Sequence, residues 1–383
     1  MKPALRSKPT VSFLLQQIIS FSISAAIVLF PAFLHVGSVQ AQTYVVLHQF
    51  HGIDGKSPNG VFKDPSGNLC GTTLVGGTFG QGTIFRFNIK TGYGAVLYNF
   101  LGGEDGASPT GQLAWDSAGN LYGTTFLGGT YNFGTVYKLD AAGTHTVLHS
   151  FSGTNGDGRY PAGGVTLDRQ GDVYGGTQEG GSLNLGTIFK VDTNGVVTTF
   201  HDFLGPEGAN PKSNLLIDPV GNIYGVAPFG GIDNDNEGVI FKIDANGAGT
   251  ALYSFFGMYQ VFGLARDAAG NFFGTTTAQN PNTLYKFDRS GVLTELHFFY
   301  PERVGPFVPM IDSAGNIYGA AVEGGANGDG YLYKFDTTGT LTVIYSFPVA
   351  GPGAYMVRNA NGDIYGTLLG YHKDNGVLFR ITP

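Results

Sequence analysis

Few side chains in this 383-residue chain have the type and spacing to do chemistry. Asp233, Asp235 and Glu237 stand at alternate positions of the loop 230–238. Three carboxylates so spaced could hold Ca²⁺ through hard oxygen ligands. The segment lacks the distal Glu and the spacing of an EF-hand, so a solvated acidic loop is the competing reading. No Gly-x-Ser-x-Gly, His-Glu-x-x-His or Walker sequence occurs, and the single cysteine, Cys70, allows neither an internal disulfide nor a cysteine-pair site. Apart from calcium, no cofactor is expected.

The remaining chemistry-bearing residues are best judged by whether they repeat. One motif, Asp-x-x-Gly-Asn/Asp-apolar-aromatic-Gly, recurs along the chain. It runs from Asp64–Gly71 through Asp116–Gly123, Asp168–Gly175, Asp218–Gly225, Asp267–Gly274 and Asp312–Gly319 to a variant at Asn359–Gly366. The first glycines are spaced 52, 52, 50, 49, 45 and 47 residues apart, which makes seven units. The third strand-type run of each unit carries one cation: Arg86, Lys138, Lys190, Lys242, Lys286, Lys334 and Arg380. The fourth carries His48, Tyr98, His149, His201, Tyr253, His297 or Tyr345 at one equivalent place. A residue present in every unit is expected to hold units together. The cations are expected to pair with nearby repeat Asp residues, with their stems along the surface. The histidines are expected to pack and hydrogen-bond, not to bind metal. Cys70 stands where other units have an aromatic and reads as a core filler.

The elements that must position these residues follow from composition. Gly (62) and Pro (18) are spread throughout, and they cost a helix interior about 1 and about 3 kcal/mol each, so a mainly helical fold is excluded. Phe (30), Tyr (20) and a hydrophobic share of 42% exclude disorder. A net charge of −7 argues against binding nucleic acid by phosphate neutralisation. Each unit holds four short β-type runs, in the second unit GQLAWD, NLYGTT, GTVYKLD and HTVLHSF, separated by Asp/Gly turns in which Gly and Asn would supply positive φ. Four strands per unit predict an all-β fold, a seven-bladed β-propeller. The chain opens with a lone fourth-type strand, 43–50, and ends with a third-type strand, 376–383, so the N-terminal strand is expected to complete the last blade and close the ring. One domain is expected over 43–383.

Residues 1–41 read as a secretory signal peptide: three basic residues, an apolar stretch from Val11 to Val36, and small residues at Val39 and Ala41 before a cut. An uncleaved anchor is the alternative. Export to the periplasm, the cell surface or the medium is expected, with no membrane association after cleavage and a monomeric product.

The phrases GNLYGTT (119–125), GGTYNFGTVYKLD (128–140) and TVLHSFSGTNGDG (146–158) resemble the GloVer tandem repeat of exported bacterial proteins of the choice-of-anchor type. The resemblance extends from Thr43 to Pro383. It implies an exported bacterial repeat protein of propeller type and brings no catalytic residues with it. The fifth unit departs from the pattern, with Gln279-Asn280 in place of the double Gly. No sorting anchor follows the last unit, which favours a soluble product.

In a four-stranded antiparallel blade, the connections after strands two and four emerge on one face. Here these are the long, variable ones, and function usually sits on variable loops of a rigid scaffold. The candidate ligand-binding residues are Tyr131, Arg159, Tyr160, Tyr259, Arg303, Tyr371 and His372. They would suit a carbohydrate or protein ligand outside the cell. Non-catalytic binding or scaffolding is the leading reading. The alternative is a propeller enzyme, lyase or glycoside-active, with acids converging at the channel mouth. A purely structural envelope protein is the third.

Overall fold

The first described residue of the computed structural model, Thr43, begins a strand, and description covers residues 43–231, 238–256, 260–277, 282–299, 308–348, 351–370 and 375–383. The leader expected over 1–41 lies outside this range. The described chain is all β apart from one short 3-10 turn, Gly103–Asp105. In the second repeat the strands Ala107–Trp115, Leu121–Leu127, Thr135–Leu139 and His145–Ser150 pair antiparallel in chain order. The same order recurs in the other repeats. The last repeat supplies Val357–Arg358, Ile364–Leu368 and Val377–Thr382, and its outer strand is Thr43–Gln49, running antiparallel to Val377–Thr382 with Thr43 opposite Thr382. The architecture is propeller-like.

The repeated motif folds as a self-contained turn. Asp116 Oδ1 accepts the backbone N–H of Ala118 and Asn120 (both 2.9 Å), while Oδ2 accepts Asn120 Nδ2 (2.7 Å) and the Tyr122 hydroxyl (3.1 Å). Gly119 alone takes the left-handed conformation, φ 83°. The expectation that Asn shares that role is corrected: its amide is used to tie back the Asp. The glycine that ends the motif serves packing. Gly123 lies across the ladder from Tyr137, and a Cβ there would run into the Tyr137 ring. Gly175 with Phe189 and Gly225 with Phe241 repeat the arrangement. The rings laid on these glycines are buried to 2% exposure or less, each contributing roughly 1.5–3 kcal/mol by burial.

The core lies between successive sheets. One cluster joins Cys70, Ile84 and Phe100 of the first repeat to Leu113, Leu121 and Tyr137 of the second. Another joins Val61, Leu69 and Phe85 of the first repeat to Tyr365 and Leu378 of the last, with Phe50 between them. A β-bulge sets the aim of the outer strand. Val147 pairs with Tyr137 and His149 with Val136, leaving Leu148 as the extra residue.

Candidate ligand-binding face

Four of the loops from strand four to the next strand one are held by an acid. In the loop after His149, Asp157 accepts the Ser152 N–H (2.7 Å) and hydroxyl (2.9 Å) and lies 3.0 Å from His149 Nε2. Asp54 accepts the His51 N–H (2.7 Å) and lies 2.8 Å from His48 Nε2. Asp105 accepts the Leu101 N–H (2.8 Å) and the Tyr98 hydroxyl (2.7 Å). Glu207 accepts the Leu204 N–H (2.7 Å) and lies 3.3 Å from His201 Nε2. Hydrogen bonds outweigh the desolvation that raises the Asp157 pKa and hold it below the usual carboxylate range. These acids are loop caps, each immediately followed by Gly in the sequence.

The strand-three cations behave as expected only in part. Lys190 Nζ lies 2.6 Å from Asp172, which stands in its repeat where most others have the motif Asn. In repeats two, four and six the motif Asp is instead satisfied by its own Asn and Tyr. Hydrogen bonds within the exposed turns lower the pKa of Asp140, Asp244, Asp288 and Asp336, and Lys138, Lys242, Lys286 and Lys334 add a smaller pull at longer range. The expected pairing holds for Lys190 and is corrected for Lys138, Lys242, Lys286 and Lys334, which are surface charges next to turns that already close by hydrogen bonding.

Of the sequence candidates, Arg159 and Tyr160 are brought together. Tyr160 is held at φ 58°, where the equivalent residues before proline are Ser57, Ser108 and Asn210. A bulky aromatic is an outlier in that region. Its N–H donates to the Phe133 carbonyl of the preceding repeat (2.8 Å), as Asn210 donates to Leu185 (2.7 Å). The ring stacks on Phe126 at 5.2 Å and 28° and meets Phe133 edge-on at 5.3 Å. The Arg159 guanidinium stands 5.3 Å from the Phe133 centroid and is paired with Glu179 at 2.8 Å. Tyr131, 57% exposed, stands two residues before Phe133 in the same loop. Phe126 and Phe133, missed in the sequence, were legible only as aromatics flanking one double Gly. Tyr259, Arg303, Tyr371, His372 and the calcium candidates Asp233, Asp235 and Glu237 lie outside the described residues.

A cavity of about 250 Å³ opens where first strands of different repeats converge, lined among others by Asn59, Ala162, Lys212, Phe262 and Tyr355. Tyr355 is half-buried; desolvation pushes its pKa up, and its hydroxyl donates to Gly163 O at 3.4 Å. Among the described lining residues there is no acid and no histidine. Nor, among the described residues, do three metal-ligating His, Cys, Asp or Glu side chains stand together.

Four-stranded antiparallel units in series, with short turns on one face and a variable face carrying an aromatic patch, define an all-β repeat protein of propeller-like architecture. The chain belongs to the Gloeobacter/Verrucomicrobia repeat family, whose pattern matches residues 57–282. No curated protein matches it. Among solved structures it is similar to streptogramin B lyase (14% identity, TM-score 0.65, covering 89% of this chain and 97% of that one). It is likewise similar to a catalytically inactive virginiamycin B lyase from Staphylococcus aureus in complex with quinupristin (13%, TM-score 0.64, 89% and 99%). A third is oligogalacturonate lyase from Vibrio parahaemolyticus (12%, TM-score 0.59, 90% and 94%). At such identities the likeness concerns the fold alone.

Proposed function

We propose that this chain is an exported, non-catalytic binding module, a seven-bladed propeller that takes a carbohydrate or protein ligand on its long-loop face. The observation that carries the reading is Tyr160. A strained, stacked tyrosine with a paired arginine beside it occupies a position where other repeats keep Ser or Asn. Aromatic faces next to a fixed cation and carboxylate suit sugar rings or peptide side chains. Closure of the ring is supported by the junction of first and last repeats. Ser57 N–H donates to Asn375 O (2.9 Å), the same staple that Ser108 makes to Gln81. Thr367, in the last repeat, donates to Pro58 O (3.1 Å) and accepts the Gly60 N–H (3.0 Å).

The second reading, an enzyme working at the axial cavity, draws on Lys212 and Tyr355 at that cavity. Screening the full-length protein on an array of oligosaccharides and peptides, with a lyase and hydrolase screen in parallel, separates the two. Saturable binding without turnover supports the module. Turnover lost on Tyr355→Phe would replace it with the enzyme.

A further inference from the structure

Between successive repeats, one position of the outer strand lies over the His or Tyr of the preceding outer strand. His145 fills it over Tyr98, with ring centroids 4.2 Å apart and planes 11° apart. Its Nδ1 is 3.0 Å from Asp105, Phe100 meets it edge-on at 5.5 Å, and its side chain is 4% exposed. Tyr44 fills the same position over Tyr345, at 4.9 Å and 7°. Cross-strand register fixes the equivalence: His145 opposes Leu139, Tyr44 opposes Ile381, and Gly94 opposes Phe87.

At Gly94 the ring is missing and its place is open. A cavity of about 50 Å³ lies there, lined by His48, Phe50, Asp54, Phe87, Arg86 and Gly94. These stand where Tyr98, Phe100, Asp105, Leu139, Lys138 and His145 stand one repeat on. A Cβ on Gly94 would meet Phe87 at 3.5 Å and His48 Nδ1 at 3.7 Å, ordinary contacts. The other glycine at this position, Gly249, has no such room. His201 Nδ1 bonds to Gly247 O (2.8 Å), and a Cβ on Gly249 would stand 2.6 Å from the His201 ring. The chain thus carries one slot filled by its own imidazole and one copy of that slot left empty, with the carboxylate still in place.

We propose that the Gly94 slot binds a neutral, planar heteroaromatic ring bearing an N–H, of the imidazole class, stacked on His48 and donating to Asp54. The internal imidazole is the template for the pose. Burial holds His145 below its usual pKa range despite the opposing pull of Asp105, so the native occupant of the sister slot is the neutral ring. Arg86 at the wall of the empty slot disfavours a second positive charge. This site is independent of the long-loop reading.

The test uses the full chain with imidazole as the probe. Imidazole should raise the melting temperature saturably and shift backbone resonances centred on Gly94 and His48. N-methylimidazole, which has no N–H, should bind at least about tenfold more weakly. Gly94→His should melt above the wild type without imidazole and lose the imidazole response; Gly94→Leu, the residue type found at 293 and 341, serves if the histidine variant does not fold. An unchanged Gly94 and His48 spectrum in imidazole, or an undiminished response in the filled variants, would overturn the proposal. Equal binding of N-methylimidazole would overturn the hydrogen bond to Asp54.

Discussion

Pro58, in the first repeat, lies against Gly376, in the last, as Pro161 lies against Gly134 between the second and third. Gly376 takes φ 101° and Gly134 takes φ 93°, and a Cβ on either would run into the facing proline ring. A junction between distant parts of the sequence is therefore built like a junction between neighbours. Gly376→Ala and Gly134→Ala should each cost about 1–3 kcal/mol, through the left-handed φ and the lost close approach. Urea unfolding of the two variants checks this; a neutral Gly376→Ala beside a costly Gly134→Ala would separate the two junctions. Deleting Thr43–Gln49 exposes Val377–Thr382 as a free edge and should produce aggregation or a large fall in melting temperature.

Cys70 is 1% exposed and packed with Ile84, Phe100 and Leu113, and burial pushes its thiol pKa up. Thiol reagents should label it only on unfolding, and Cys70→Ala should cost about 1–2 kcal/mol. Rapid labelling of the native protein would contradict this packing.

The His145 ring, faced by Asp105, Tyr98, Phe100 and Tyr137, titrates below its ordinary value of 6.5. The unfolded chain then takes up the proton first as pH falls. The stability it contributes is whole above about pH 6.5 and drains as pH falls toward the folded pKa. Melting temperatures of wild type and His145→Leu, measured across about pH 7 to 5, should show the steeper loss in the wild type. Parallel slopes would remove His145 from the pH response.

How much of this was legible in the sequence depended on whether spacing was constant. The Asp-x-x-Gly-Asn turn keeps its bonds within a fixed window, Asp116 to Asn120, so its period could be counted. The loop acids were obscured because the loops differ in length. Asp54 lies six residues after His48, Asp105 seven after Tyr98 and Asp157 eight after His149. Without a constant spacing they could not be counted as a repeated feature, although they are structural. The reverse error befell Lys138: it recurs, but the turn it was expected to anchor is already closed by Asn120 and Tyr122. The role of Gly94 was invisible for another reason. An empty slot is defined by its walls, and those come from strands far apart in the chain.

The reassignment of loop acids and cations gives a stability contrast. Asp157→Ala leaves the Ser152 N–H and hydroxyl without their acceptor and should cost about 1–3 kcal/mol. Lys138→Ala, a surface change, should stay within about 0.5 kcal/mol. Thermal unfolding of both variants decides it; equal losses would restore a structural pairing for Lys138.

The most direct measurement of the central claim is ligand binding by Tyr160→Ser beside wild type and Lys138→Ala, on one array of oligosaccharides and peptides. Serine is what Ser57 and Ser108 place in the same left-handed position, so the fold should hold and the melting temperature should not fall. The account predicts that Lys138→Ala binds as the wild type does, while Tyr160→Ser loses at least about tenfold in affinity. Full binding by Tyr160→Ser, with binding lost in Lys138→Ala at an unchanged melting temperature, would contradict it and make the repeated cations the functional element.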